Sequence, residues 1–180
     1  MRPYVLLSAV LLAAVCAAPA RAGDLVGIDA TTSTVMQEGQ SSLSGLALRL
    51  RFHPAALIRN VEIMPTIEYW RNSNSLSAFG IESSRKDATL GVDARYVFYR
   101  DGWEPYLGAG YAVHFLSSSV NAPALGLVDA SDSFTKGGLA ALAGVSVPLT
   151  TKVHNFFEVK YHHVTENRQL KLNWGISYNL

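Results

Sequence analysis

Leu170-Lys171-Leu172-Asn173-Trp174-Gly175-Ile176-Ser177-Tyr178-Asn179-Leu180 alternates without a break between bulky apolar and small or polar side chains. A β-strand sends successive side chains to opposite faces, so this segment has one face for an apolar medium and one for a polar medium. A helix would scatter the same residues around its circumference. The pattern recurs upstream. Leu46, Leu48, Leu50 and Phe52 alternate with Ala47, Arg49 and Arg51. Val61, Ile63, Ile67 and Tyr69 stand among Glu62, Thr66 and Glu68. Leu90, Val92, Ala94, Tyr96 and Phe98 stand among Thr89, Asp93 and Arg95, and Phe157, Val159 and Tyr161 among Glu158, Lys160 and His162.

Extending this reading over the chain predicts eight strands, near 24–35, 42–53, 60–71, 86–99, 104–117, 133–148, 153–164 and 168–180. Several exceed the roughly five or six residues of a soluble strand and match the roughly nine to eleven that cross a bilayer at a tilt. Connections at 53–60, 100–103 and 149–152 are short; Arg100-Asp101-Gly102 and Pro148-Leu149-Thr150 carry turn chemistry. Segments 72–85 and 118–132 are rich in Ser, Asn, Ala and Gly and read as longer loops. The second contains Val120, Ala122, Pro123, Leu125, Leu127 and Val128, and is expected to be a mobile loop partly covering the mouth of the fold.

The chain has 180 residues, a formal net charge of +1 and 16% charged residues, against about 25% in a typical soluble domain. No basic excess points to nucleic acid. A single cysteine, Cys16, excludes a disulfide framework and any centre built on several thiolates. Arg2, the apolar run from Tyr4 to Ala18 and the Ala20-Arg21-Ala22 exit read as a secretory signal peptide, residues 1–22, leaving 23–180 as one domain. No later window is apolar enough for a helical span. Aromatic residues gather near strand ends, at Tyr69 and Trp70, Phe98 and Tyr99, Trp103 and Tyr106, Phe156 and Phe157, and Tyr161, as in interfacial girdles.

With these features, and with Gly91-Val92-Asp93-Ala94-Arg95-Tyr96 followed by Trp103-Glu104-Pro105-Tyr106-Leu107-Gly108-Ala109-Gly110, the chain resembles the small, porin-like outer-membrane barrels of Gram-negative bacteria, including the OmpA transmembrane, OmpX and OmpW-like families. The resemblance implies an all-β, eight-stranded antiparallel transmembrane up-and-down barrel. It also implies a setting of outer-membrane lipid and lipopolysaccharide, and a last strand, ending at Leu180, that the outer-membrane assembly machinery reads. The function it implies is non-enzymatic: envelope-structural, surface-interaction or small-solute passage. A secreted lipocalin-like carrier of an apolar ligand is the competing barrel, with the bulky face turned inward. Bulky Leu, Ile, Tyr, Trp and Phe on one face, with Gly and Ala beside the charges on the other, favour the membrane version.

In that version the lumen receives Arg49, Arg51, Arg95, Lys160 and Lys171 against Glu62, Glu68, Asp93 and Glu158. Nearly balanced charges in so narrow an interior are expected to pair as a structural network. The five histidines lack metal-ligand spacing, His162 and His163 pointing to opposite faces, and no cofactor motif is present. One arrangement resembles lipid A 3-O-deacylases, which place a His-x-Ser motif at the outer end of such a barrel. His163 and Thr165 stand in those positions, with Glu166 beside them, as base, hydroxyl and orienting acid. Thr165 replaces the serine, a stiffer and more hindered nucleophile, and the last strand carries no acid.

Overall fold

The computed structural model describes residues 25–37, 42–54, 60–76, 81–99, 102–122, 127–164 and 167–180. The expected signal peptide and its Cys16 lie outside them. Eight strands follow in chain order: β1 Leu25–Gln37, β2 Leu43–Phe52, β3 Val61–Leu76, β4 Ile81–Val97, β5 Glu104–Ala122, β6 Leu127–Pro148, β7 Val153–Val164 and β8 Asn167–Asn179. Each pairs antiparallel with its neighbours, and β1 pairs with β8 from Gly27–Asn179 to Gln37–Gln169, closing the barrel. Closure leaves no edge within the wall, which is what a sheet needs to survive in hydrocarbon.

The alternation sets the two faces. Leu46, Leu48, Ile67, Leu107, Leu139, Phe157, Trp174 and Ile176 are exposed on the outer wall. Asp29, Arg49, Glu68, Asp93, Glu158, Lys160 and Lys171 are buried in the lumen. This is the inverse of a lipocalin, whose apolar side chains line a cavity, so the carrier alternative falls. The bulky face has no interior to fill and needs an apolar solvent.

Small residues make room inside. A β-carbon built on Gly45 would run into the Trp70 ring, and one on Gly144 into the Tyr106 ring. Gly45→Val should therefore destabilise the barrel by about 1–3 kcal/mol, the usual cost of overpacking, read as a lower urea midpoint for the refolded protein. Pro65 has no N–H to donate, and the β2–β3 ladder has a gap opposite it, between the Arg49–Thr66 and Phe52–Ile63 pairs.

The turns at one end are tight. Thr150 Oγ1 accepts from the backbone N–H groups of Lys152 and Val153, and Leu149 N–H donates to the Val153 carbonyl at 2.8 Å. Gly102 sits at φ 79°, a left-handed conformation that glycine adopts without strain.

The opposite end differs from the expectation of long loops at 72–85 and 118–132. β3 continues to Leu76 and pairs with a β4 that begins at Ile81. β5 continues to Ala122 and pairs with a β6 that begins at Leu127. Most of both segments is strand, so 118–122 and 127–132 form sheet where a loop over the mouth was expected; residues 123–126 lie outside the described set. The reason is physical: a sheet rising clear of the bilayer has water on both faces. It needs no apolar alternation, so its polar composition imitates a loop. β7 ends at Val164, opposite Gly138, so β6 rises beyond it from Gly137 back to Leu127. Strands β3 to β6 thus form a four-stranded sheet standing above the shorter β7, β8, β1 and β2.

Candidate functional site: a charged lumen and an outer rim

The nine charged residues expected in the lumen are all buried there. They meet in two groups. Toward the turn end, Arg49 Nη1 lies 2.8 Å from Glu158 Oε2, and Arg51 Nε 2.9 Å from Asp29 Oδ1. Glu62 receives Arg95 at 2.7 Å and Arg51 at 3.6 Å. Toward the loop end, Lys160 Nζ lies 2.6 Å from Asp93 Oδ2 and 3.8 Å from Glu68, which also pairs with Lys171.

Both groups balance. Arg49, Arg51 and Arg95 face Asp29, Glu62 and Glu158, and Lys160 and Lys171 face Glu68 and Asp93. Balance matters because an unpaired charge so deeply buried costs several kcal/mol. Glu158 is the most connected acid: it takes two bonds from Arg49 Nη1, one from the Tyr106 hydroxyl at 3.2 Å and one from Asn173 at 2.8 Å. Cations also lie over rings, Arg49 4.7 Å from the Phe156 centroid, Arg95 4.5 Å from Tyr106 and Lys171 4.7 Å from Trp70. Apolar clusters flank the charges, Met64, Val97, Tyr106 and Leu142 on one side and Val35, Leu43 and Trp70 on the other.

Asp29 completes the first group and was missed, although Ile28 and Ala30 on either side are apolar and its parity matches. Asp87 was missed too. It accepts from Thr89 at 3.1 Å and lies 3.1 Å from His114 Nδ1, while His114 Nε2 stands 3.1 Å from His162 Nδ1. Among the described residues no set of three or more His, Cys, Asp or Glu side chains is arranged to hold a metal.

At the turn end, a cavity of about 740 Å³ opens between Arg51, Glu62, Glu104, Ser146 and His154, among others. Ser146 Oγ lies 3.2 Å, and Glu104 Oε2 3.4 Å, from His154 Nδ1. Hydroxyl and acid compete for one ring nitrogen, so this trio cannot relay a proton as a hydrolase triad does, where the two occupy opposite nitrogens. His163, the residue resembling the deacylase base, is exposed on the outer wall. Its cross-strand partner is Arg168, a cation that cannot orient an imidazole as an acid would. Thr165 and Glu166 lie outside the described residues.

A family model for the outer membrane protein beta-barrel domain matches residues 7–179. The chain belongs to this family. Its members' setting is the outer membrane, and this barrel's inverted faces agree with that. No curated protein sequence matches the chain. Among solved structures it is similar to Neisserial surface protein A, at 24% identity and a TM-score of 0.59, covering 88% of this chain and 98% of that one. Ail, the attachment invasion locus protein of Yersinia pestis, is 15% identical with a TM-score of 0.60, covering 87% and 97%. A major outer membrane protein from Thermus thermophilus reaches 0.64 at 13% identity, covering 86% and 99%. Identities this low speak for the barrel alone.

Proposed function

We propose that this outer-membrane barrel works from its surface, as an envelope-structural and surface-interaction protein, and that its lumen is scaffold and not conduit. The observation that carries the reading is the paired charge that crosses the interior beyond the turn-end cavity. Five cations and five acids pair there, and Arg51, Glu62 and Arg95 of that network line the cavity itself. The raised sheet of β3 to β6 supplies the surface. Among the described residues the β6 edge beyond the Gly138–Val164 pair has no β7 partner, and an open strand edge is a template for an extended segment of another protein. The surrounding lipid is lipopolysaccharide, and the last strand is the segment the assembly machinery reads.

The test is planar-bilayer conductance of the purified full chain. No steady open level should appear under conditions in which a general porin conducts. A stable conductance, reproduced by swelling of sugar-loaded liposomes, would restore small-solute passage. On the same reading, lipid A from cells expressing the protein keeps all its acyl chains by mass spectrometry. Loss of one chain would bring back the hydrolase centred on His163.

A further inference from the structure

The outer wall carries cations in an arrangement unlike that of the lumen. Arg71 on β3 is the direct cross-strand partner of Lys86 on β4, and His163 on β7 is the direct partner of Arg168 on β8. All four side chains are exposed on the outer face. Direct partners hold their β-carbons roughly 5 Å apart, where the like charges of Arg71 and Lys86 repel and the His163 imidazole stands beside the Arg168 guanidinium. Among the described residues no acid pairs with Arg71, Lys86 or Arg168, whereas each of the five lumen cations has one.

The two pairs are built alike. Arg71 stands two residues beyond Tyr69 on the same face, and His163 two beyond Tyr161; both tyrosines are exposed on the outer wall. They also share a height. Register carries Arg71 through Ser44 and Thr34 to Leu172 on β8. In the other direction it passes through Lys86, Ser117 and Ser133, beyond the loop end of β7. Strands tilted by roughly 40° shift the horizontal by about four residues over three strands, which brings the level from Leu172 to Arg168. In an eight-strand ring, β3–β4 and β7–β8 lie on opposite sides.

We infer that these are two phosphate clamps, Arg71 with Lys86 and His163 with Arg168, that hold the phosphorylated disaccharide headgroup of the outer-leaflet glycolipid against opposite sides of the barrel. This rests on the wall spanning the outer membrane with its raised end outward. An anion between Arg71 and Lys86 turns their repulsion into attraction, an imidazole N–H at His163 can donate to it beside Arg168, and a guanidinium binds phosphate through two parallel hydrogen bonds. A second observation favours a sugar headgroup over a phospholipid. Above Arg71 and Lys86, the same outer face of the raised sheet carries Ser84, Ser117, Ser119, Ser131 and Ser133. Lys86, Ser117 and Ser133 lie in one cross-strand row, and Ser84, Ser119 and Ser131 in the next. Ser84 and Ser119 hydroxyls are 2.8 Å apart. This hydroxyl surface suits a sugar's hydroxyl groups and offers little to an acyl-glycerol headgroup.

The experiment uses the purified full chain in a zwitterionic detergent and measures lipid retained per barrel after gel filtration. The probes are bisphosphorylated lipid A, the same lipid A with its phosphates removed, and phosphatidylglycerol. The unaltered barrel should retain bisphosphorylated lipid A roughly tenfold better than either other lipid. Arg71→Ala with Lys86→Ala, and His163→Ala with Arg168→Ala, should each lower that retention several-fold, and all four together should abolish the preference. Arg71→Lys, which keeps the charge but not the two parallel bonds, should retain only part of it, and Lys152→Ala at the turn end should change nothing. Equal retention of all three lipids by the unaltered barrel, or undiminished preference in the fourfold variant, would overturn the inference. Heat-dependent gel mobility, read in parallel, separates that failure from failure of the barrel itself.

Discussion

Glu158→Ala should cost the barrel about 3–5 kcal/mol, measured as the free energy of urea unfolding in lipid vesicles. Glu158 is fully buried, and its removal strands Arg49, which would keep the 3.8 Å contact with Asp29, a long bond to Thr31 and the Phe156 ring, but no close anion. Asn173 and the Tyr106 hydroxyl lose a partner as well. The cost comes chiefly from a buried cation left without its anion, more than from a lost attraction. Removing both charges as Arg49→Met with Glu158→Leu should therefore cost clearly less than the two single changes combined. Additive losses would show that the pair sits in water, and that the lumen is open.

The outer wall gives the second large effect. Leu48→Arg should destabilise by about 2–4 kcal/mol in the same measurement, since Leu48 lies midway along β2 and faces lipid. Met36→Arg, near the loop end of β1, should cost about 0–1 kcal/mol, because a long side chain there reaches the headgroups. The contrast matters more than either value. A soluble barrel would accept arginine at both exposed positions alike.

Strand number, order and inward parity were readable in the sequence because a membrane wall imposes period two on every strand it contains. The span Val153–Val164 agrees with its expected limits at both ends. Other strands differ where that constraint lapses. Above the bilayer, Ser117, Ser118 and Ser119 pair with Ser133, Asp132 and Ser131, and composition there does not distinguish strand from loop. The lumen charges were readable by parity, and the same parity marks Asp29 and Asp87. Pairing choices were not readable. Strands tilt, so Arg49 meets Glu158 across the lumen, 109 positions away, and no local pattern encodes that meeting. The cross-strand cation pairs were hidden for a related reason: register, which places Arg71 against Lys86, depends on where the ladder begins.

A closed barrel whose bulky face meets lipid is tested most directly by gel mobility of the outer-membrane fraction in SDS, unheated against boiled. A wall closed without edges resists SDS until heated. The unheated sample should show a faster band that shifts on boiling and is confined to the outer-membrane fraction. A soluble periplasmic band with one mobility, heated or not, would contradict a closed, lipid-facing barrel.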